Sequence, residues 1–174
     1  MPAPERTSLA DIVAAGCDLL EDGGPAHVTM QAVAQRVGVR APSLYKRVRD
    51  RDALLRLVAT AHIDRLVERL DPADTTIAGV ARTFRTYAQE QPEGFRLILS
   101  SIADAESLAR ATSAILQAAE ALVGPAEALD AARLVTAWTT GFITMELAGA
   151  FRLDGDLDQA FEYALERLQV ALTH

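Results

Sequence analysis

One glycine between two short apolar periodicities constrains this chain more than any other feature. It lies in the run Thr29–Val48, TMQAVAQRVGVRAPSLYKRV. Met30, Val33, Ala34 and Val37 fall at i, i+3, i+4 and i+7, which is one face of a short helix. Thr29 precedes that helix with a hydroxyl suited to an N-cap, and Gly38 follows it with the backbone freedom a tight exit requires. Val39 plugs the turn. Pro42 stands where the first turn of a helix tolerates a missing N–H, and the spacing predicts a second helix through Leu44 to Val48. Two short helices about so tight a turn make a helix-turn-helix. Leu44 and Val48 face inward, while Arg40, Ser43, Tyr45, Lys46 and Arg47 face outward. A short helix with a basic, hydroxyl-bearing outer face fits a DNA major groove.

An ordinary helical hairpin with a solvated face is the plain alternative, and the charge distribution weighs against it. Residues 36–56 hold Arg36, Arg40, Lys46, Arg47, Arg49, Arg51 and Arg56 against Asp50 and Asp52, seven basic groups against two acidic, or a net +5, in a chain whose formal charge is −7. Lys46 is the only lysine. An acidic chain that gathers its positive charge beside one helix pair has a local use for it, and phosphate is that use.

This run, followed by Arg49-Asp-Arg-Asp-Ala-Leu-Leu55, resembles the N-terminal DNA-binding domain of the TetR family of transcriptional regulators over about residues 9–57. The Ala-x-x-x-Gly-Val turn, the Leu-Tyr pair and the Arg-Asp-Ala-Leu-Leu entry to the next helix carry the resemblance. Arg47 stands where the family most often has histidine, and Arg51 where lysine is common. The resemblance implies that Thr29, Tyr45, Lys46, Arg47 and Arg51 hold phosphates. Arg40, Ala41, Pro42 and Ser43 then approach base edges, where arginine offers a bidentate fork to guanine and small residues reach thymine methyls. Tyr45 has a structural alternative, packing against the first helix. Phosphate contacts set register and affinity; base contacts specify.

The rest of the chain reads as all-α. Alanine and leucine dominate, β-branched runs are scarce, and half of the 174 residues are apolar. The expected architecture is a three-helix head plus a larger helical body for ligand binding and dimerisation, about nine helices in all, with the head at residues 1–50 and the body at 51–174. Residues 1–6 are expected to be mobile. Ser8 or Thr7 caps a first helix with the stripe Leu9, Ile12, Val13, Gly16, Leu19 and Leu20, bordered by Cys17 as a small core filler. Gly23-Gly24-Pro25 stops it, and His27 follows as a surface residue. Asp50 caps a long linking helix over about 51–69, ended by Asp71-Pro72-Ala73-Asp74.

Further helices are expected over about 75–91, 104–122, 126–151 and 156–172. Gln91-Pro92-Glu93-Gly94 marks a break, after which Phe95, Leu97, Ile98, Leu99 and Ile102 form a short apolar segment. Aromatic rings among alanines either leave a cavity or close into a dense core. The family resemblance implies a cavity for a small apolar or amphipathic effector, with Phe84, Tyr87, Phe95, Leu99, Trp138 and Phe142 as its expected lining. The helix over 126–151 is apolar nearly all round, which in a small protein demands burial on more than one side. Self-pairing of the last two helices would give a four-helix bundle, with Leu134, Trp138, Met145, Phe161, Leu165 and Leu168 at the interface. Thr140-Gly-Phe-Ile-Thr-Met-Glu-Leu-Ala-Gly-Ala-Phe151 resembles a TetR C-terminal subgroup with a His-Gly-Phe pattern, with Thr140 in place of the histidine.

Several classes are set aside. His27, His62 and His174 are isolated, and the chain has no Gly-x-Ser-x-Gly, Walker loop or dinucleotide fingerprint, so no enzyme, cofactor or metal is expected. Asp154-Gly-Asp-Leu-Asp158 begins like a calcium loop, but Gln159 and Leu165 occupy the positions that need Gly and Glu. It reads instead as a helix N-terminus. No membrane span or signal peptide is present and the single cysteine forms no internal disulfide, so a cytoplasmic setting is expected. The resemblance implies a homodimer on a palindromic double-stranded operator, with a small-molecule effector that tilts the linking helix. A helical protein-interaction module remains the rival class, and it leaves the basic cluster at 36–56 without a purpose.

Overall fold

The computed structural model describes residues 7–70, 74–100 and 103–173. The expectations placed on residues 1–6, Asp71–Ala73, Ile102 and His174 lie outside these. Nine α-helices and no strand occur among the described residues: α1 (Leu9–Gly23), α2 (Met30–Arg36), α3 (Ala41–Leu44), α4 (Arg51–Glu68), α5 (Ile77–Glu90), α6 (Pro92–Leu99), α7 (Ala105–Val123), α8 (Ala128–Leu147) and α9 (Leu157–Leu172), with a 3-10 turn at Pro25–His27. The all-α expectation holds. No helix among the described residues is long and apolar enough to cross a membrane.

The chain divides into two compact units. The first runs to Arg65 and takes in Gln91–Leu108; the second comprises Leu66–Glu90 and Ala109–His174. The first is larger than an expected head ending at residue 50, because α6 packs on α1. The Glu21 carboxylate accepts the N–H groups of Glu93 (3.2 Å) and Gly94 (2.6 Å) in the first turn of α6, where helix N–H groups have no intrahelical partner. His62 is fully buried against Gly94, where a β-carbon would lie 2.2 Å from the imidazole Nδ1. Burial, with the Arg65 cation nearby, pushes the His62 pKa down to about 4.

Local signals in the first unit act as read. Ser8 caps α1 in a reciprocal box with Asp11. The Thr29 hydroxyl accepts the Ala32 N–H at 3.1 Å, and the Asp50 carboxylate accepts that of Ala53 at 2.7 Å. Ile12, Leu20, Val33, Leu44, Leu54 and Val58 form the core. Cys17 is buried among them, and burial pushes its thiol pKa up. Leu9 departs from its stripe and is exposed.

Three boundaries differ from expectation. The second helix of the turn motif ends at Leu44, not Val48. Residues 45–47 form a turn in which the Leu44 carbonyl accepts both Arg47 N–H (2.8 Å) and Val48 N–H (2.9 Å), which returns Val48 to the core just before the Asp50 cap. Gln91 alone separates α5 from α6. Pro92 opens a helix instead of ending one, so Phe95, Leu97 and Ile98 are helical. α8 stops at Leu147 because Gly149 adopts φ +59° and Ala150 N–H reaches back to the Met145 carbonyl at 2.8 Å.

The second unit is built on small residues. Ala118, Ala119, Ala128, Ala131 and Ala132 share one core cluster with Ile77, Val80, Ile115 and Val135, where small side chains bring α8 close to α5. A second cluster joins Ala78, Ala81, Phe161 and Leu165, with Trp138 and Phe142 against it.

Candidate nucleic-acid interface

Thr29, Gly38, Leu44 and Val48 together aim the candidate interface. Thr29 fixes the start of α2. Gly38 has φ +72°, and Val39 N–H reaches back to the Ala34 carbonyl at 2.9 Å, so the chain reverses within three residues. Leu44 and Val48 then anchor α3 and its following turn, each at most 2 % exposed. With those two held inside, Arg40, Pro42, Ser43, Tyr45, Lys46 and Arg47 are all exposed, and Ala41 is half-buried. An open groove of about 800 Å³ runs beside them, lined by Thr7, Gly38, Arg40, Ser43, Lys46 and Arg47. Thr7 was read in the sequence only as a candidate cap for α1, since nothing in its neighbourhood shows that it stands beside α3.

The basic residues divide by what they touch. Arg36 pairs with Asp22 (2.6 Å) and, more loosely, Asp18 (3.6 Å), while Arg49 pairs with Asp50 (2.6 Å). Arg40 and Lys46 form no ion pair among the described residues. Arg51, expected at a phosphate, braces backbone in this structure. Its Nε donates to the Val28 carbonyl at 2.9 Å and a terminal nitrogen donates to the Pro25 carbonyl. The guanidinium thereby satisfies two carbonyls of the loop before α2 and braces that loop against α4. Tyr45 is 55 % exposed, so its ring does not pack into the core.

The expected effector lining is not gathered into one cavity. Phe95 and Leu99 belong to the first unit, Phe95 buried in its core and Leu99 exposed. The other four belong to the second. Tyr87 is fully buried. Trp138 and Phe142 close on Phe161, each with ring centroids 5.1 Å from it, so these rings fill space instead of enclosing it. Phe84 lines a small cavity between α5, α7 and α8.

The expected interface set is likewise split. Leu134 and Met145 are exposed on α8, while Trp138 and Leu168 are half-buried. Phe161 and Leu165 are at most 1 % exposed within their own unit and have no surface to offer a partner. The α9 stripe was legible, but its Phe161 and Leu165 pack on Ala78 and Ala81 of α5 and on Trp138 and Phe142 of α8 within this chain.

Arg85 was not singled out from the sequence. Its side chain is 10 % exposed and forms a bidentate pair with Glu146 (2.9 and 2.6 Å), a further pair with Asp158 (2.7 Å), and a cation–π contact 4.8 Å from the Phe161 ring. The hydrogen bonds from Arg85 hold the Glu146 pKa below its usual range. Asp156 caps α9 by accepting the Asp158 N–H at 2.8 Å, so the Asp154–Asp158 run is a helix start, as read. Among the described residues no group of three or more His, Cys, Asp or Glu is placed to hold a metal.

Two family models match the chain. Residues 6–58 match the bacterial regulatory proteins of the tetR family, and residues 77–168 match the tetracyclin repressor-like C-terminal domain. The class A tetracycline repressor protein from transposon 1721 of Escherichia coli is 27 % identical over 157 residues, covering 86 % of this chain and 73 % of that protein. Among solved structures, a protein of unknown function from Rhodococcus sp. RHA1 superposes with a TM-score of 0.85 at 20 % identity, covering all of both chains. A TetR variant from Acinetobacter baumannii AYE in complex with minocycline gives 0.72 at 23 % identity, covering 95 % and 96 %. BioQ from Mycobacterium smegmatis gives 0.72 at 26 % identity, covering 96 % and 98 %. With over half the chain matched by one model and the turn motif by the other, the chain belongs to the TetR family of DNA-binding transcriptional regulators.

Proposed function

We propose that this protein is a homodimeric repressor that binds a palindromic operator and is released by a small apolar or amphipathic molecule. One observation carries the DNA reading. α3 is pinned by Leu44 and Val48 so that Arg40, Pro42 and Ser43 are exposed at its start and Tyr45, Lys46 and Arg47 just after it. Arg40 and Ser43, with Ala41 and Pro42 between them, meet base edges in the major groove. Lys46, Arg47, Tyr45 and the Thr29 hydroxyl meet phosphates. Thr29 serves twice, because its oxygen accepts the Ala32 N–H while its own proton remains for an acceptor outside. Arg51 acts indirectly, by holding the loop that presents Thr29.

One such head reads only a few base pairs, so specificity needs two on a C₂ axis, with half-sites about one helical turn or a multiple apart. The exposed Leu134 and Met145 of α8 support self-pairing through that helix, in a region 51–174 that holds effector and partner while residues 1–50 read DNA. The minocycline complex of the A. baumannii relative supports a small-molecule effector. An effector acts by moving α4, which passes from one compact unit into the other. The proposal places the protein in the cytoplasm, with no catalytic step.

Selection of bound sequences from a random DNA pool, at near-physiological salt and with the full chain, tests this reading. The expected product is a palindrome. A folded protein that recovers no consensus would turn the assignment toward a helical interaction module.

A further inference from the structure

A narrow cavity of about 20 Å³ lies inside the second unit, between α5, α7 and α8. Its walls are Val80, Ala81, Phe84, Ile115 and Val135, with Thr136, Thr139 and Thr140, and no charged side chain lines it. Thr139 is 4 % exposed, and its Oγ1 has no hydrogen-bond partner among the described residues. Threonine inside a helix ordinarily satisfies its hydroxyl on the carbonyl four residues earlier. Thr83 does so on Gly79 (3.0 Å), and Thr144, in the same helix as Thr139, does so on Thr140 (2.7 Å). A buried hydroxyl left without a partner, in a helix that satisfies its neighbour, points to a group supplied from outside the chain.

The route to it is present. An open groove of about 780 Å³ lies between α7 and α8, and Ile115, Thr136 and Thr140 line both the groove and the inner cavity. Leu116, Leu129 and Ala137 give the groove apolar walls, and Arg133 is the one charged residue lining it. A groove of that size suits a ligand of drug-like dimensions. The cavity behind it admits only one small polar group, the size of a hydroxyl or carbonyl oxygen.

We propose that this is the effector site, and that it takes an uncharged, largely apolar molecule bearing one hydroxyl or carbonyl. The hydrocarbon body lies along α7 and α8, and the polar group enters the cavity to hydrogen-bond Thr139 Oγ1. The inference rests on the effector-responsive reading above and names the chemistry of its ligand. It also moves the site from the expected aromatic lining, of which only Phe84 remains. A site built to satisfy a buried hydroxyl discriminates against an analogue of the same shape that lacks the hydrogen-bonding group.

The test is calorimetric titration of the full chain with 2-naphthol and, as the analogue without the oxygen, naphthalene. The expected result is that wild-type protein binds 2-naphthol about tenfold more tightly than naphthalene. Thr139→Val, which keeps the branched shape and removes the oxygen, should bring the two affinities together, while Thr139→Ser should keep the preference. Equal wild-type affinities, or a preference that survives in Thr139→Val, would overturn Thr139 as the anchor and leave the cavity to a water molecule. No binding of either compound would overturn the site itself. The wild-type comparison decides the matter even where Thr139→Val does not fold. No DNA is present in these titrations, so a negative result counts against this site while leaving operator binding, measured separately, as it stands.

Discussion

The two units of the molecule treat arginine in opposite ways. In the first, Arg40 and Arg47 are exposed around α3, while Leu44 and Val48 beneath them are sealed. In the second, Arg85 is drawn inside, locked to Glu146 and laid over Phe161, while Leu129, Leu134 and Met145 stand 53 %, 47 % and 44 % exposed. Arg40, which forms no ion pair among the described residues, keeps a flexible stem and a hydrated head for an incoming anion. A cation that is buried and paired serves the fold, because removing one partner leaves the other desolvated and unmatched. Charge around α3 thus stands at the surface, whereas the Arg85 cluster fastens α5, α8 and α9.

The contrast can be broken most forcefully from the second unit. Glu146→Ala leaves Arg85 buried with only the exposed Asp158 to oppose it, and should cost on the order of 3 kcal/mol in denaturant unfolding. A loss below about 1 kcal/mol, the range of surface pairs, would mean that Arg85 is solvated like the arginines of the head.

Next in size is the pH response of the first unit. His62 resists protonation in the folded chain down to about pH 4, whereas the unfolded chain takes up its proton near 6.5. The stability that comes from its neutral burial is complete above pH 6.5 and is lost as pH falls from there toward 4, by up to about 3 kcal/mol at the bottom of that window. Comparing wild type with His62→Gln at pH 7.5 and 4.5 isolates this contribution. Parallel losses in the two proteins would show that His62 is not its source.

The smallest effect concerns binding alone. Arg40→Ala should leave unfolding unchanged and cost about 1–3 kcal/mol on the selected operator, with relaxed preference at the base pair it meets. Fluorescence anisotropy on the operator and on single-base variants reads both quantities. Unchanged selectivity would reassign Arg40 from base edge to phosphate.

What could be read in advance follows the same division. The turn motif was legible because its signals are local: the apolar period, the hydroxyl cap of Thr29 and the positive-φ Gly38 all act within a few residues. Lys46 and Arg47 are exposed because Leu44 and Val48 are buried, Leu44 at the end of α3 and Val48 through the turn over 45–47. The bracing role of Arg51 was not legible because its partners, the carbonyls of Pro25 and Val28, lie more than twenty positions away. Phe161 and Leu165 were placed at an interface because an amphipathic stripe says which face is buried but not against what. The pocket suffered similarly. Rings are conspicuous in sequence, yet Trp138, Phe142 and Phe161 pack on one another, and the open space lies beside Thr136, Thr139 and Thr140. Thr139 continues the buried stripe of Ala128, Ala132, Val135 and Ile143, but a helix that reads as apolar nearly all round does not show which stripe is the inner one.

If the exposed cations around α3 meet phosphate, operator binding must depend steeply on salt. The full chain is titrated against its selected operator by anisotropy between 50 and 200 mM NaCl. A dimer whose two heads each neutralise two phosphates should lose affinity by about 100-fold across that range, and Lys46→Ala should flatten the slope. An affinity that barely changes with salt, in a protein that remains folded, would contradict phosphate contact.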